Sequence, residues 1–280
     1  MAKICIDAGH YGKYNRCPNN PKYYESEVMW KLHNLLKTYL TKLGVTVITT
    51  RASQSKDLDL QSRGKKSKGC DLFISLHSNA VGSKMNENVD YVSVFHLQAD
   101  TTTKIDEKSK EIGLLVAPVI AKVMNTKQGY KVQSRKAQTD RNKDGILNDN
   151  YYGVLHGARL VGTPALIIEH SFHTNSKMVN WLLKDSNLDK LARAEAECLA
   201  SWVLKKTVKL PSVSEATKTF KVKVLVDTLY IRKGAGTKYE VVGSIKDKGT
   251  YTIVKTSGSW GKLISGAGWI YMSSKNVKKV

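Results

Sequence analysis

Two histidines and one glutamate stand beside apolar segments of the sequence, in positions suited to binding a catalytic metal ion. The apolar segment Ile4–Asp7 leads into His10, and the segment Leu72–Leu76 leads into His77. Glu25 opens a long stretch with helical periodicity, where the helix dipole favours a carboxylate. Two imidazoles and one carboxylate form a ligand set of catalytic zinc, which keeps one position for water or substrate. The three side chains therefore predict a catalytic zinc site.

A second carboxylate, Glu169, follows the apolar run Ala165–Ile168 and has no ligand role in this set. A carboxylate is costly to bury without a partner, so this position favours a function over a structural role. Glu169 is accordingly a candidate general base. Taken singly, His10 or Glu25 is more often a satisfied polar or capping residue. It is the joint placement of the four that indicates a site.

These residues require a sheet that brings their segments together. Apolar runs alternate with helical patterns, which predicts an α/β domain with a twisted central sheet covered by helices on both faces. Groups at the carboxyl ends of strands in such sheets collect into one site. The predicted strands are Ile4–Asp7, Val45–Thr49, Leu72–Leu76, Tyr91–Leu97 and Ala165–Ile168. The predicted helices are Glu25–Leu43, Lys108–Met124 and Leu188–Lys206.

A change of pattern near residue 207 predicts a second domain. We assign residues 1–206 to the catalytic domain and the Ser-, Thr- and Lys-rich segment 207–219 to a linker. Residues 220–280 hold short alternating stretches separated by glycine-rich turns, which predicts a small all-β, barrel-like domain. Two domains agree with a length of 280 residues.

Composition excludes several classes of protein. Hydrophobic residues make up 41% and charged residues 25%, which argues against a disordered or fibrous chain. A net charge of +21 favours a polyanionic partner, such as nucleic acid, acidic lipid or an anionic wall polymer. No apolar run is long enough for a membrane span, so we expect no membrane insertion. The cysteines lack zinc-knuckle spacing, and we expect buried free thiols at Cys5, Cys17, Cys70 and Cys198.

Four segments, in order along the chain, resemble one family. They are IDAGHYG, YESEVMWKLHNLLKTYLTKLGVTVITTR, LQSRGKKSKGCDLFISLHSNA and GTPALIIEHSFHTN. Over roughly residues 3–205 the chain resembles the zinc-dependent N-acetylmuramoyl-L-alanine amidases, which cleave bacterial peptidoglycan. The resemblance implies one zinc ion held by His10, Glu25 and His77, with Glu169 as the catalytic acid and base. Glu27 is the alternative helix glutamate. Glu25 is chosen because its distance to Gly44 and to the strand Val45–Thr49 fits the pattern of the family that the chain resembles.

The same resemblance suggests substrate contacts and shows one departure. Asn79, Arg63 and His170 are candidate substrate contacts. The family usually has glycine two residues after the catalytic glutamate, where this chain has Ser171. His170 and His173 are also unusual there, and we hold them as possible substrate contacts while expecting them at the surface.

The C-terminal segments LYIRKGAGTKYEVVG, GSWGKL and GWIYMSS resemble a bacterial Src-homology-3 type domain, over about residues 221–278. Such domains often bind cell-wall peptides or polymers, which makes Tyr230, Tyr239, Trp260 and Trp269 candidate wall contacts. For the two tryptophans, packing in the core of a small barrel is the favoured alternative.

The expected substrate is peptidoglycan, with anionic wall polymers of a Gram-positive host as further partners and no nucleic acid. Because no leader precedes the first strand, we expect synthesis in the cytoplasm and action on the wall after release, as for a phage or prophage endolysin that lyses bacteria. A host autolysin or spore enzyme is the alternative origin. Two alternative functions remain open. One is a zinc peptidase that acts within the stem peptide or crossbridge, and the other is a non-catalytic wall-binding protein. The sequence sets no oligomeric state.

The loop from Asp140 to Gly145 has the first half of a calcium-loop spacing. Its twelfth position is Tyr151 rather than a bidentate glutamate, so an ordinary polar loop is favoured over a calcium site. The surrounding stretch, Gln128–Gly153, shows little regular pattern and is a candidate lid or groove wall.

Overall fold

The computed structural model describes residues 2–98, 103–140, 149–210 and 220–280. The chain divides into two compact units, Met1–Leu210 and Pro211–Val280. Most of the candidate calcium loop, at residues 141–148, lies outside the described residues, as do residues 211–219 of the expected linker. None of the described helices is long and apolar enough to cross a membrane.

The first unit is built on a six-stranded mixed sheet. Its strands are β1 (Lys3–Ala8), β2 (Thr46–Thr49), β3 (Leu72–Asn79), β4 (Val92–His96), β5 (Tyr130–Gln133) and β6 (Ala165–Phe172). They lie in the order β2-β1-β3-β6-β4-β5. Neighbours are parallel except β4 and β6, which are antiparallel. The sheet places β1, β3 and β6 side by side at its centre.

Helices cover both faces of this sheet. They are α1 (Glu25–Lys42), α2 (Leu60–Lys65), α3 (Lys104–Met124), α4 (Gly153–Leu160), α5 (Ser176–Leu182) and α6 (Asp185–Leu204). Side chains alternate between the faces of a strand, so Ile4 and Ile6 of β1 join a core with α1, α3, α5 and α6. Cys5, between them, joins a second core with Val154 and Leu155 of α4. The predicted α/β sheet covered by helices is confirmed.

Helix α1 carries Glu25 at its first residue, and its apolar face fixes the helix against the sheet. Buried residues recur at helical spacing and end in the last turn, at Val28, Met29, Leu32, Leu36, Tyr39 and Leu40. The chain leaves the helix through Gly44 at a φ of +84°, a left-handed conformation that glycine adopts without strain. The helix is therefore anchored along its whole length.

Several elements differ from the sequence-based expectation. Helices α2, α4 and α5 and strand β5 were not predicted, and β5 lies in the stretch assigned to a possible lid. Strands β3 and β6 run further than expected, so His77 and Glu169 lie within strands rather than beyond their ends. Cys5, Cys17 and Cys70 are buried free thiols as predicted, whereas Cys198 is half-buried.

The second unit is a seven-stranded antiparallel sheet. Its strands are β7 (Phe220–Val224), β8 (Leu229–Arg232), β9 (Val241–Ile245), β10 (Thr250–Ser257), β11 (Trp260–Leu263), β12 (Trp269–Tyr271) and β13 (Val277–Lys279). The order is β13-β7-β10-β11-β12-β8-β9. Aliphatic side chains fill its core: Val222, Val224, Leu229, Ile231, Ile245, Ile253, Leu263, Ile270 and Val277.

The two tryptophans of this unit do not belong to that buried core, contrary to the favoured expectation. Trp260 and Trp269 are half-buried, because the residues that follow them, Gly261 and Ile270, take the inward positions. Trp260 pairs with Tyr271 across β11 and β12, and their ring centroids are 5.2 Å apart. The aromatic side chains therefore lie on the outer face of the sheet.

Candidate active site

Three side chains that can ligate a metal converge at one edge of the central sheet. His10 follows β1, Glu25 begins α1 and His77 lies near the end of β3. His10 Nε2 is 3.4 Å from Glu25 Oε2, and His77 Nδ1 is 2.9 Å from Glu25 Oε1. One donor atom from each of the three residues lies within 4.8 Å of the others. This donor set suits a metal such as zinc.

Backbone geometry brings the two imidazoles close to the carboxylate. His10 has a φ of +59°, in the left-handed region that side chains other than glycine seldom adopt. Gly9 lets the ring of His77 approach the main chain: a Cβ at Gly9 would lie 2.4 Å from His77 Cε1. Strained backbone of this kind clusters at functional sites, because the surrounding structure must enforce it.

Glu25 is almost completely buried. Its carboxylate is contacted by Asn15, by the main chain of Ser78 and by the two imidazoles. Asn15 Nδ2 donates to Glu25 Oε2 at 2.6 Å and also lies 3.0 Å from His10 Nε2. The main-chain N–H of Ser78 donates to Glu25 Oε1 at 3.1 Å. Burial alone would raise the pKa of Glu25, but the contacts with His10 and His77 outweigh it and lower the pKa overall. Glu25 is therefore kept ionised, which is the state that a carboxylate needs to bind a metal.

Glu169 faces the same edge from the neighbouring strand. It pairs directly with His77 in the register of β3 and β6. Its Oε2 atom is buried, and no described residue supplies it with a hydrogen bond. Burial raises the pKa of Glu169, and the negative charge of Glu25 raises it further. A carboxylate with an oxygen that has no partner among the described residues, beside a set of possible metal ligands, fits a group that exchanges protons with a substrate or water.

An open cavity of about 570 Å³ lies over these residues. Its lining includes the donor set, Glu169 and the predicted contact Asn79, together with Arg16 and His173. His173 is buried except for its edge on the cavity, and its Nδ1 lies 2.9 Å from the carbonyl oxygen of Ser78. The cavity has the dimensions of a site for a small molecule or a short segment of polymer.

Comparison with known proteins assigns the chain to a family. The pattern of the N-acetylmuramoyl-L-alanine amidases matches residues 4–201, which is more than half of the chain. The chain belongs to this amidase family. A relative from Bacillus licheniformis, the N-acetylmuramoyl-L-alanine amidase CwlM, is 28% identical over 203 residues, which cover 71% of this chain and 68% of the relative.

Solved amidase structures share the fold of the first unit. The catalytic domain of CwlV from Bacillus (Paenibacillus) polymyxa var. colistinus gives a TM-score of 0.57 at 18% identity, covering 74% of this chain and 100% of that domain. The N-acetylmuramoyl-L-alanine amidase from Clostridium difficile 630 gives a TM-score of 0.59 at 20% identity, covering 73% of this chain and 98% of that one. At these identities the similarity establishes the fold alone. The family match ends before the second unit.

Two candidate substrate contacts of the amidase are buried, which corrects the expectation from sequence. Arg63 is 3% exposed, and its guanidinium donates to the Leu58 carbonyl at 2.7 Å and to Asp57 at 2.7 Å. His170 is fully buried, with Nε2 2.7 Å from Glu195 Oε1. Both side chains make hydrogen bonds in the interior of the first unit, and neither lines the cavity. The expectation of surface positions for His170 and His173 is also wrong.

The serine that replaces the family's usual glycine has a structural explanation in this amidase. Ser171 has a φ of +58°, the region where glycine is preferred, and it lies at an irregularity in the pairing of β3 with β6. Its hydroxyl donates to Asp90 Oδ1 at 3.1 Å. The positive φ at this position favours glycine, but the hydrogen bond to Asp90 gives the side chain of Ser171 a structural role there.

Sequence reasoning missed Asn15 and Arg16, which lie in the loop between β1 and α1. The loop forms a short antiparallel pairing: Cys17 N donates to the Tyr23 carbonyl and Glu25 N donates to the Asn15 carbonyl. This pairing presents Asn15 to the donor set and Arg16 to the cavity. No spacing rule connects these two residues with the histidines, because a loop carries no periodic signal.

Proposed function

We propose that the chain is a zinc-dependent N-acetylmuramoyl-L-alanine amidase, which hydrolyses the amide between the lactyl group of N-acetylmuramic acid and the L-alanine of the stem peptide. Membership of the family supports the choice of bond. The observation that carries the mechanism is that Glu169, whose buried Oε2 atom has no hydrogen-bond partner among the described residues, lines the same cavity as the His10, Glu25 and His77 donor set. These four residues are the proposed catalytic machinery.

His10, Glu25 and His77 would hold one zinc ion. When bound, zinc supplies Lewis-acid polarisation of the scissile carbonyl and lowers the pKa of water to about 7. The carboxylate of Glu169 takes a proton from the attacking water and returns it to the departing amine of alanine. The raised pKa of Glu169 makes its protonated form accessible between these two transfers. Asn15 holds the Glu25 carboxylate in place throughout.

Three cavity-lining residues are proposed substrate contacts. The Asn79 side chain and the Nε2 edge of His173 offer hydrogen-bonding groups to the peptide. Arg16 is exposed and makes no ion pair with any described residue, so its guanidinium is free for a carboxylate of the stem peptide. The cavity thus provides polar groups for contacts with the proposed substrate.

The second unit is proposed to be a Src-homology-3 type module that binds the cell wall. Tyr230, Trp260 and Trp269 share the outer face of its sheet, and Arg232 pairs with Trp269 on that face. Aromatic and cationic side chains suit polymers that carry sugars and anionic groups. Together with the charge of +21, this face supports a phage or prophage endolysin acting on a Gram-positive wall rich in anionic polymers.

Zinc content and wall hydrolysis, measured on the same preparations, test the proposal. The wild-type chain is expected to hold one zinc ion by elemental analysis and to clear peptidoglycan suspensions. Glu25→Gln is expected to lose both properties, and Glu27→Gln, a matched change two residues further along α1, is expected to keep both. Hydrolysis that survives complete removal of the metal would overturn the zinc mechanism, as would a Glu25→Gln variant that keeps its zinc and activity.

A further inference from the structure

We propose that Asp7 and Ser75 are positioning residues that keep the proton of the His77 ring on Nε2 and thereby reserve Nδ1 for the metal. The inference rests on the proposed zinc site, but it concerns a hydrogen-bond chain inside the sheet that the catalytic mechanism does not use. The chain runs from the Asp7 carboxylate to the Ser75 hydroxyl and then to the His77 ring.

Strand pairing places the three residues together. Asp7 of β1 lies directly beside Ser75 of β3 in the parallel register. Ser75 and His77 are two residues apart on β3, so their side chains point to the same face of the sheet. The juxtaposition therefore follows from the sheet itself and does not depend on a loop. Asp7 and Ser75 are both fully buried, so bulk water does not reach them to replace these hydrogen bonds.

The hydroxyl groups of Ser75 and Thr50 both donate their hydrogens to Asp7. Ser75 Oγ donates to Asp7 Oδ2 at 2.7 Å, and Thr50 Oγ1 donates to Asp7 Oδ1 at 2.5 Å. A cation supports this arrangement, since Arg63 Nη1 lies 3.7 Å from Asp7 Oδ2. A serine hydroxyl has one hydrogen and two lone pairs. Once Ser75 donates to Asp7, its oxygen is able only to accept a further hydrogen bond.

The remaining contact of Ser75 fixes the histidine. His77 Nε2 lies 3.1 Å from Ser75 Oγ, and a hydrogen bond between them requires the hydrogen on Nε2. A ring bound to metal carries one proton, so Nδ1 keeps its lone pair. Nδ1 is the nitrogen that faces Glu25, at 2.9 Å from Oε1. The ring nitrogen that faces the donor set is thus the one left free to ligate. Hydrogen-bonded partners of this kind orient metal-ligating histidines in general.

Four substitutions separate this role from simple packing. Ser75→Ala removes the acceptor of the Nε2 hydrogen, and Ser75→Thr retains it. Thr50→Val removes the other hydroxyl on Asp7 without contacting His77 and serves as the matched control. Asp7→Asn introduces an amide donor, which allows the Ser75 hydroxyl to turn toward His77 and favours a proton on Nδ1 instead. Thermal melting establishes that each variant is folded before binding is measured.

Zinc affinity is measured by competition with a chromogenic chelator, and the ring proton of His77 is located from ¹⁵N spectra of histidine-labelled, zinc-loaded protein. Ser75→Ala and Asp7→Asn are expected to weaken zinc binding by about 10–100-fold. Thr50→Val and Ser75→Thr are expected to bind like wild type and to show the proton on Nε2. Equal affinity in Ser75→Ala and Thr50→Val, or a proton on Nδ1 in wild type, would overturn the inference.

The outcomes also distinguish this inference from the proposed function. A folded wild-type chain that binds no zinc contradicts the zinc mechanism. With no zinc bound there is no metal-bound ring to orient, so that result contradicts the inference as well. A wild-type chain that binds zinc, together with Ser75→Ala and Thr50→Val variants that bind it equally, contradicts the inference alone and leaves the zinc mechanism intact.

Discussion

At the residue scale, the site contains two glutamates whose surroundings give them different properties. Glu25 receives hydrogen bonds from Asn15 and Ser78. Burial opposes its ionisation, but its contacts with the two imidazoles outweigh burial and lower its pKa. Glu169 Oε2 has no partner among the described residues, and the pKa of this residue is raised. Environments that separate the pKa values of two nearby acids commonly separate a ligand from a proton carrier. The proposed roles follow from this contrast.

Replacing Glu169 by glutamine tests its assignment as the proton carrier. Glu169→Gln keeps the shape of the side chain but is unable to accept a proton, so hydrolysis should fall by about 10²–10⁴-fold. Zinc content should stay at the wild-type level, because Glu169 is not among the proposed ligands. Rates on a soluble muramoyl peptide and elemental analysis check both statements. Loss of zinc together with activity would instead make Glu169 part of the metal site.

Gly9→Ala tests the close approach of the His77 ring. The added Cβ would lie 2.4 Å from His77 Cε1, so the ring must move and zinc binding should weaken by at least about tenfold. Gly113→Ala is the control, since its Cβ meets only methyl groups at 3.2 Å or more. Chelator competition measures both variants. Unchanged zinc affinity in Gly9→Ala would show that the ring position is not critical.

Residue types and spacing were sufficient to select His10, Glu25 and His77, because apolar runs mark where strands lead into polar residues. The family resemblance suggested Arg63 and His170 as substrate contacts, and the structure buries both. Their partners, among them Asp57 and Glu195, come from distant parts of the chain, and no local pattern reports such pairings.

At the element scale, the long helices and central strands were predictable because their apolar periodicity reflects a deep core. The short helices α2 and α4 were not, since their contact relies on glycine rather than on an apolar stripe. A Cβ at Gly157 would lie 2.1 Å from the Gln61 carbonyl oxygen, and a Cβ at Gly64 would lie 2.1 Å from that of Val154. The two helices pack backbone to backbone. Such a contact leaves no hydrophobic signature in the sequence.

The close contact between α2 and α4 leads to a prediction about stability. Gly157→Ala should push α4 away from α2 and lower the free energy of unfolding by about 1–3 kcal/mol, as overpacking does. Denaturation by urea, followed by circular dichroism, measures the change against Gly113→Ala, whose methyl neighbours are able to adjust. A Gly157→Ala chain as stable as Gly113→Ala would mean that the helices separate without loss.

At the scale of the whole molecule, both units have cores of their own, and all four proposed catalytic residues belong to the first. The order of strands in each sheet could not be read from the sequence, because strand pairing depends on contacts between distant segments. The positive charge extends over both units, so the proposed attraction for anionic polymers does not depend on the catalytic cavity.

Removing the second unit should therefore separate binding from catalysis. The fragment 1–210 is expected to hydrolyse a soluble muramoyl peptide at the rate of the full chain and to cosediment less with purified walls. Wall binding by the full chain should weaken from about 0.1 to about 0.5 M sodium chloride, because salt screens the charges involved. Equal cosedimentation of fragment and full chain would assign wall binding to the first unit alone.

The proposed function depends above all on which bond is cleaved, and mass spectrometry of peptidoglycan digests identifies that bond. Digestion by the wild-type chain should release stem peptides with a free L-alanine amino terminus and leave N-acetylmuramic acid with a free lactyl carboxyl group. Both products should disappear when a chelator is present and return when zinc is restored. New termini inside the stem peptide or crossbridge, with the lactyl amide intact, would contradict the account and identify a peptidase.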